Sequence, residues 1–193
     1  MPERAVWTIG HSNHDFDAFA SLLSSERIAY VVDVRSYPYS RIAPQFNREQ
    51  LADGLAERGF GYMFLGAELG GRPDTPEHYD EDGHALYAPM AERPDFQAAL
   101  TRVCRGAGKH RIVLMCSEAD PTHCHRRLLV GRVLAELGVQ LRHILPTGRV
   151  ESESRVALPG ENAAQSSLLP EEVPWRSTQS VSRRARLSAS SAG

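Results

Sequence analysis

What most restricts the folds open to this chain is an alternation of two periods along residues 5–145. Ala5-Val6-Trp7-Thr8-Ile9 and residues 28–34 are short, apolar, β-branched runs, and between them Phe16, Phe19, Ala20, Leu22 and Leu23 recur at helical spacing. This reads as strand, helix, strand. Asp15 or Asp17 is placed to cap the helix, and the unbroken apolar Tyr30-Val31-Val32 suits a strand covered on both faces. The pattern continues with a helix over 48–58 stopped by Gly59, a strand over 61–65, a helix over 94–105 and a strand over 110–116. A helix over 121–137, stopped by Gly138, and a last strand over 139–145 complete it. The expected fold is α/β and Rossmann-like: a mostly parallel sheet of about five strands with helices on both faces, connected by right-handed crossovers. The first and fourth strands are expected side by side at the centre.

Residues 66 to about 93 are rich in Gly, Pro, Asp and His and show no clear period, and a loop of that length in a compact domain is either functional or disordered. From about Val150 the composition shifts to Ser, Glu, Pro and Ala, with few large apolar residues. That segment lacks the apolar surface to fold alone. The expected organisation is one domain over 1–149 and a disordered tail over 150–193 that folding does not need.

The 193 residues are 41% hydrophobic and 24% charged, ordinary globular usage, and no apolar run approaches the ~18 residues of a membrane span. No membrane partner is expected. The chain enters its first strand without a secretory pattern, and three cysteines (Cys104, Cys116, Cys124) are too few for a disulfide framework, so a reducing, cytoplasmic setting is expected. A net charge of −2 supplies no general attraction to phosphate, so a nucleic acid would have to be held by a local cluster of arginines.

In open α/β sheets ligands bind beyond the carboxyl ends of the strands. There this chain places Gly10-His11-Ser12, Asp33-Val34-Arg35, Gly70-Gly71-Arg72 and Cys116-Ser117-Glu118. Thr8-Ile9-Gly10-His11-Ser12, Asp33-Val34-Arg35 with Pro38 and Ser40-Arg41, Pro44-Gln45-Phe46-Asn47, Leu69-Gly70-Gly71, and Cys116 to Pro121 with Cys124-His125-Arg126 form an ordered series. This series, over about residues 5–146, resembles the motifs of the uncharacterised family catalogued as domain of unknown function 488. The resemblance implies that these positions belong together and brings no reaction with it.

Chemistry must supply the rest. Glu118, in the turn after the fourth strand, can act as nucleophile or general base, or can pair with Arg35 or Arg126 and merely order the turn. His11 is an acid–base candidate, or else a hydrogen-bonding cap. Cys116 is a thiolate candidate at a helix start, or else a small hydrophobe. Ser12, Asp33, Arg35, Arg41, Arg72, His125 and Arg126 are the candidate substrate-binding residues. Four of these are arginines able to converge on an anion, and Tyr37, Tyr39, Phe46 and Tyr62 can stack on a base. No cofactor is expected, because the chain has neither a Gly-x-Gly-x-x-Gly fingerprint nor a P-loop. No metal is expected either, because Cys-x7-Cys-His fits no regular zinc spacing.

The leading expectation is an enzyme acting by hydrolysis or group transfer on a nucleotide or nucleic-acid component, its partner a small phosphorylated or nucleotide-like ligand. Two alternatives stand beside it: a non-catalytic nucleic-acid-binding module, and a thiol or metal protein built on Cys116, Cys124 and His125.

Overall fold

The computed structural model describes residues 4–156 and 175–181. β1 (Ala5–Gly10), β2 (Tyr30–Asp33), β3 (Gly61–Phe64), β4 (Ile112–Cys116), β5 (Gln140–Ile144) and β6 (Val150–Ser152) form one sheet in the order β3-β2-β4-β1-β5-β6. Every neighbouring pair is parallel except β5 with β6. The central pairing of β1 with β4 is as expected, and its register sets Gly10 opposite Cys116. Since Asp33 pairs with Met115, the ends of β1, β2 and β4 lie level.

Alternation along the central strands fills two cores. Val32, Leu114 and Cys116 face one, together with Leu100 and Val103 of α5 (Pro94–Ala107) and with Val133 and Leu134 of α6 (Arg132–Glu136). Val31, Val113 and Met115 face the other, with Phe19 and Leu23 of α1 (Phe16–Ser25) and Leu51 and Leu55 of α2 (Arg48–Glu57). Burying each such side chain contributes about 1.5–3 kcal/mol, so the two helical layers hold the sheet from both sides. Asp15, not Asp17, caps α1, its carboxylate accepting from the Ala18 amide at 2.7 Å. The chain runs one way along the sheet from β1 to β3 and returns from β3 to β5, so the reversal lies between β1 and β4.

Several expectations need correction. The stretch after β3 is not structureless: it holds α3 (Gly66–Leu69), α4 (Tyr87–Glu92) and a bridge between Tyr79 and Ala85. A regular helix over 121–137 is replaced by a 3-10 turn at Pro121–His123, an extended Cys124, a π-helical stretch Arg126–Gly131 and then α6. The domain also passes residue 149. β6 adds a sixth strand, and Glu153 beyond it bonds both Arg127 Nε and His143 Nε2 at 2.7 Å. Residues 175–181 return to the domain through the bridge between Leu86 and Arg176, the bond from Ser177 N to Ala85 O, and Trp175 Nε1 donating to Leu128 O at 2.7 Å. The rest of the expected disordered tail, Leu168 and Leu169 included, lies outside the described residues. Among the described residues no helix is long and apolar enough to cross a membrane.

Candidate functional site

The crevice between β1 and β4 is filled by the chain itself. His11 N bonds Cys116 O at 2.9 Å and Ser12 N bonds Ser117 O at 3.0 Å, which lays the loop after β4 across Gly10. A Cβ on Gly10 would sit 1.7 Å from Glu118 O, so only glycine admits this approach. The open space is therefore displaced toward the ends of β2 and β3.

At the end of β2, Asp33 is fully buried and its carboxylate accepts from Arg35 N, Arg35 Nε (2.9 Å), Arg35 Nη2 (2.6 Å) and Tyr62 Oη (2.9 Å). Burial and this carboxylate push the Tyr62 phenol up. The remaining terminal nitrogen of Arg35 lies 3.2 Å from His11 Nε2, and His11 Nδ1 lies 3.1 Å from Ser12 O. A carbonyl only accepts, so Nδ1 carries the proton and Nε2 accepts from Arg35. Stacked on Phe46 at 4.4 Å, the ring is neutral: burial and the Arg35 charge lower its pKa to about 4. His11 thus positions Arg35, with both ring nitrogens engaged.

The end of β4 is built differently. Arg126 is fully buried, from the first turn of the π-helical stretch, and donates to Cys116 Sγ at 2.7 Å, to Glu118 O and to Ala119 O at 3.0 Å. It holds the loop from beneath instead of reaching over the strand ends as an anion clamp. Cys116 Sγ also accepts from Glu118 N at 3.2 Å and lies 2.9 Å from Cys124 Sγ. His125 Nε2 lies 2.8 Å from Val34 O and so carries the proton, leaving the Nδ1 lone pair 3.8 Å from Cys124 Sγ.

Between these two ends opens a cavity of about 290 Å³. Arg35, Arg72, Glu118 and His125 line it, with Cys116 and Cys124 as its buried part and the exposed rings of Tyr37 and Tyr39 at its rim. The glycine pair after α3 lets that loop approach, since a Cβ on Gly71 would lie 2.6 Å from the His125 side chain. Ser177, Gln179 and Val181 close one wall, and Tyr87 another.

Of the residues expected at the site, the cavity gathers Arg35, Arg72, Cys116, Glu118 and His125, whereas Asp33 and Arg126 lie behind it as supports. His11, Ser12 and Arg41 are not part of the lining, and Arg41 is exposed on its loop. Phe46 stacks on His11 and Tyr62 donates to Asp33, whereas the rings of Tyr37 and Tyr39 lie at the cavity, Tyr39 Oη donating to Glu49 Oε1 at 2.8 Å. Glu118 does not pair with Arg35 or Arg126: its side chain is exposed and makes no ion pair among the described residues. Tyr87, Ser177 and Gln179 were not foreseeable from the strand-end rule, because they come from the long loop and the segment beyond the sheet. Among the described residues no group of three or more His, Cys, Asp or Glu is arranged to hold a metal ion.

No curated protein and no solved structure matches the chain. The family model described as Domain of unknown function DUF488 matches residues 15–133, which takes in α1, the Asp33-Arg35 pair, the glycine pair, Cys116, Glu118 and the Cys124-His125-Arg126 run. With more than half of its length matched, and with Arg35, Arg72, Cys116, Glu118 and His125 inside the match, the chain belongs to the DUF488 family.

Proposed function

We propose that this chain is a Rossmann-like cytoplasmic enzyme that acts by hydrolysis or group transfer on a small phosphorylated or nucleotide-like substrate. The observation that carries the reading is the Glu118 carboxylate: exposed, without an ion pair among the described residues, and on the lining of the same cavity as the cations Arg35 and Arg72 and the rings of Tyr37 and Tyr39. A carboxylate so placed can take the proton of an attacking water or hydroxyl while the guanidinium groups face the anionic part of the substrate. The cavity volume falls at the lower end of the range for small-molecule sites, which favours a nucleotide-sized ligand over a backbone-tracking groove.

Binding and turnover of a panel of nucleotides and nucleosides test this reading. Glu118→Gln is expected to bind a substrate as the parent does and to lose turnover, while Tyr39→Ala weakens binding with the fold intact. Equal turnover by Glu118→Gln and the parent would remove Glu118 from the chemistry. Affinity confined to single-stranded nucleic acid, and falling steeply with salt, would favour the binding-module alternative instead.

A further inference from the structure

A fully buried guanidinium requires an anionic partner or a complete set of acceptors, because an uncompensated buried charge is costly. Arg35 has Asp33. Arg126 has no carboxylate within ion-pair distance among the described residues, and its Nε makes no hydrogen bond. Two carbonyls and a sulfur surround it, and the sulfur belongs to a pair of thiols 2.9 Å apart. Among the described residues only that pair can supply the missing charge at contact distance.

We propose that Cys116 and Cys124 form a redox-active thiol pair that carries one negative charge as the counter-ion of Arg126 and is converted to a disulfide by hydroperoxides entering the cavity. Three features converge on it. The sulfurs need to close only about 0.85 Å, from 2.9 Å to the covalent length of about 2.05 Å. Both are free and at most 2% exposed, yet both line the cavity, so access is reserved for small reagents. The His125 Nδ1 lone pair beside Cys124 gives the departing proton a route outward.

The ionisable groups facing the pair are Arg126 and His125 from its own segment, Glu118 from the loop after β4, and Tyr87 from α4. Burial opposes ionisation of Cys124, but the hydrogen bond from Cys116 and the Arg126 charge outweigh it and hold that thiol below its usual range. Burial and the same shared proton push Cys116 well above it. The two protons therefore belong to the pair, one leaving early and the other late.

The chemistry balances. The Cys124 thiolate attacks the terminal oxygen of a hydroperoxide, the O–O bond breaks, and the leaving alkoxide (hydroxide from hydrogen peroxide) takes a proton from solvent to become an alcohol (or water). Cys116 then attacks the Cys124 sulfenic acid, the S–O bond breaks, and the expelled hydroxide leaves as water with the Cys116 proton. Two thiols are oxidised and one peroxide is reduced. A thiol reductant restores the pair.

The test uses the full chain, reduced and then titrated with hydrogen peroxide at neutral pH, read by intact mass and peptide mapping. The expected result is loss of two hydrogens per chain, a Cys116–Cys124 linkage reversed by dithiothreitol, and Cys104 still reduced. In Cys116→Ser, Cys124 is expected to stop at a sulfenic acid trapped by dimedone. Oxidation first at Cys104, or oxygen addition at Cys116 or Cys124 without a linkage in the parent chain, overturns the proposal. No nucleotide enters the assay, so its failure and that of the proposed enzymatic reading are separable.

Discussion

The ends of β2 and β4 each bury an arginine beside a level strand end, and they neutralise it by different means. Arg35 sits 4% exposed against the fully buried Asp33 carboxylate, in a forked contact that Tyr62 and His11 complete. Arg126 sits fully buried against a thiol pair and two loop carbonyls. A carboxylate partner makes an unreactive unit, and the β2 end accordingly holds Arg35 at the cavity as a fixed cation. A thiol partner leaves a nucleophile in the contact, and the carbonyls it shares fix the loop that presents Glu118. One residue type at one depth thus gives a scaffold on one side of the cavity and chemistry on the other.

The comparison can be broken most forcefully at Asp33. Asp33→Asn keeps the shape and leaves Arg35 without a counter-charge, so a loss of about 3–5 kcal/mol is expected in denaturant unfolding, with Asp33→Leu plus Arg35→Met recovering most of it. A double variant as unstable as the single one would show that the pair is not what holds this end. At β4, Cys116→Ser with Cys124→Ser removes the anion but leaves Arg126 its carbonyls, and a smaller loss of about 1–3 kcal/mol is expected. A loss matching Asp33→Asn would make the two ends equivalent.

His11 sharpens the contrast through pH. Its native pKa of about 4 lies below the unfolded value near 6.5, so as pH falls through that window the unfolded chain takes up a proton that the native chain refuses. Stability should decline there by about 1.4 kcal/mol per pH unit, and His11→Asn should flatten the slope of the unfolding midpoint against pH. An unchanged slope would place a charged ring beside Arg35. The smallest effect belongs to Glu153. Burial opposes its ionisation, but the His143 hydrogen bond and the Arg127 charge hold its carboxyl below the usual range. Its contribution is therefore present above the ordinary carboxylate pKa and lost as pH falls through the lowered one. Because its side chain is a third exposed, Glu153→Gln should cost no more than ~1 kcal/mol at neutral pH, while loosening β6 in hydrogen exchange.

The central strands were legible because burial on both faces writes itself as continuous apolar runs: Val31-Val32 and Ile112 to Cys116 are buried throughout, although Tyr30 at the start of β2 is exposed. A cap at the start of α1 was legible as Asp15 or Asp17, and the fold takes Asp15. The π-helical stretch was not, because the helix expected over 121–137 assumes 3.6 residues per turn, and a widened turn leaves no mark on composition. Arg126, expected among the substrate-binding residues, is buried there together with Arg127. The return of residues 175–181 was equally hidden. It is held by backbone bonds and by Ser177, which carry no hydrophobic period, and Trp175 was the one large apolar residue able to signal it. Arg35, Arg72, Cys116 and Glu118 stood out by their places at or after strand ends and His125 by the run Cys124-His125-Arg126, whereas the closeness of Cys116 to Cys124 depends on the extended backbone at Cys124.

The contrast between the two buried arginines rests on the charge of the thiol pair, and an ultraviolet thiolate titration of the folded Cys104→Ser chain measures it directly. The account predicts one thiolate per chain appearing below the ordinary thiol pKa of about 8.5, with the second delayed well above it. Two thiols ionising together at or above the ordinary value would contradict it, and would leave Arg126 a buried cation held by carbonyls alone.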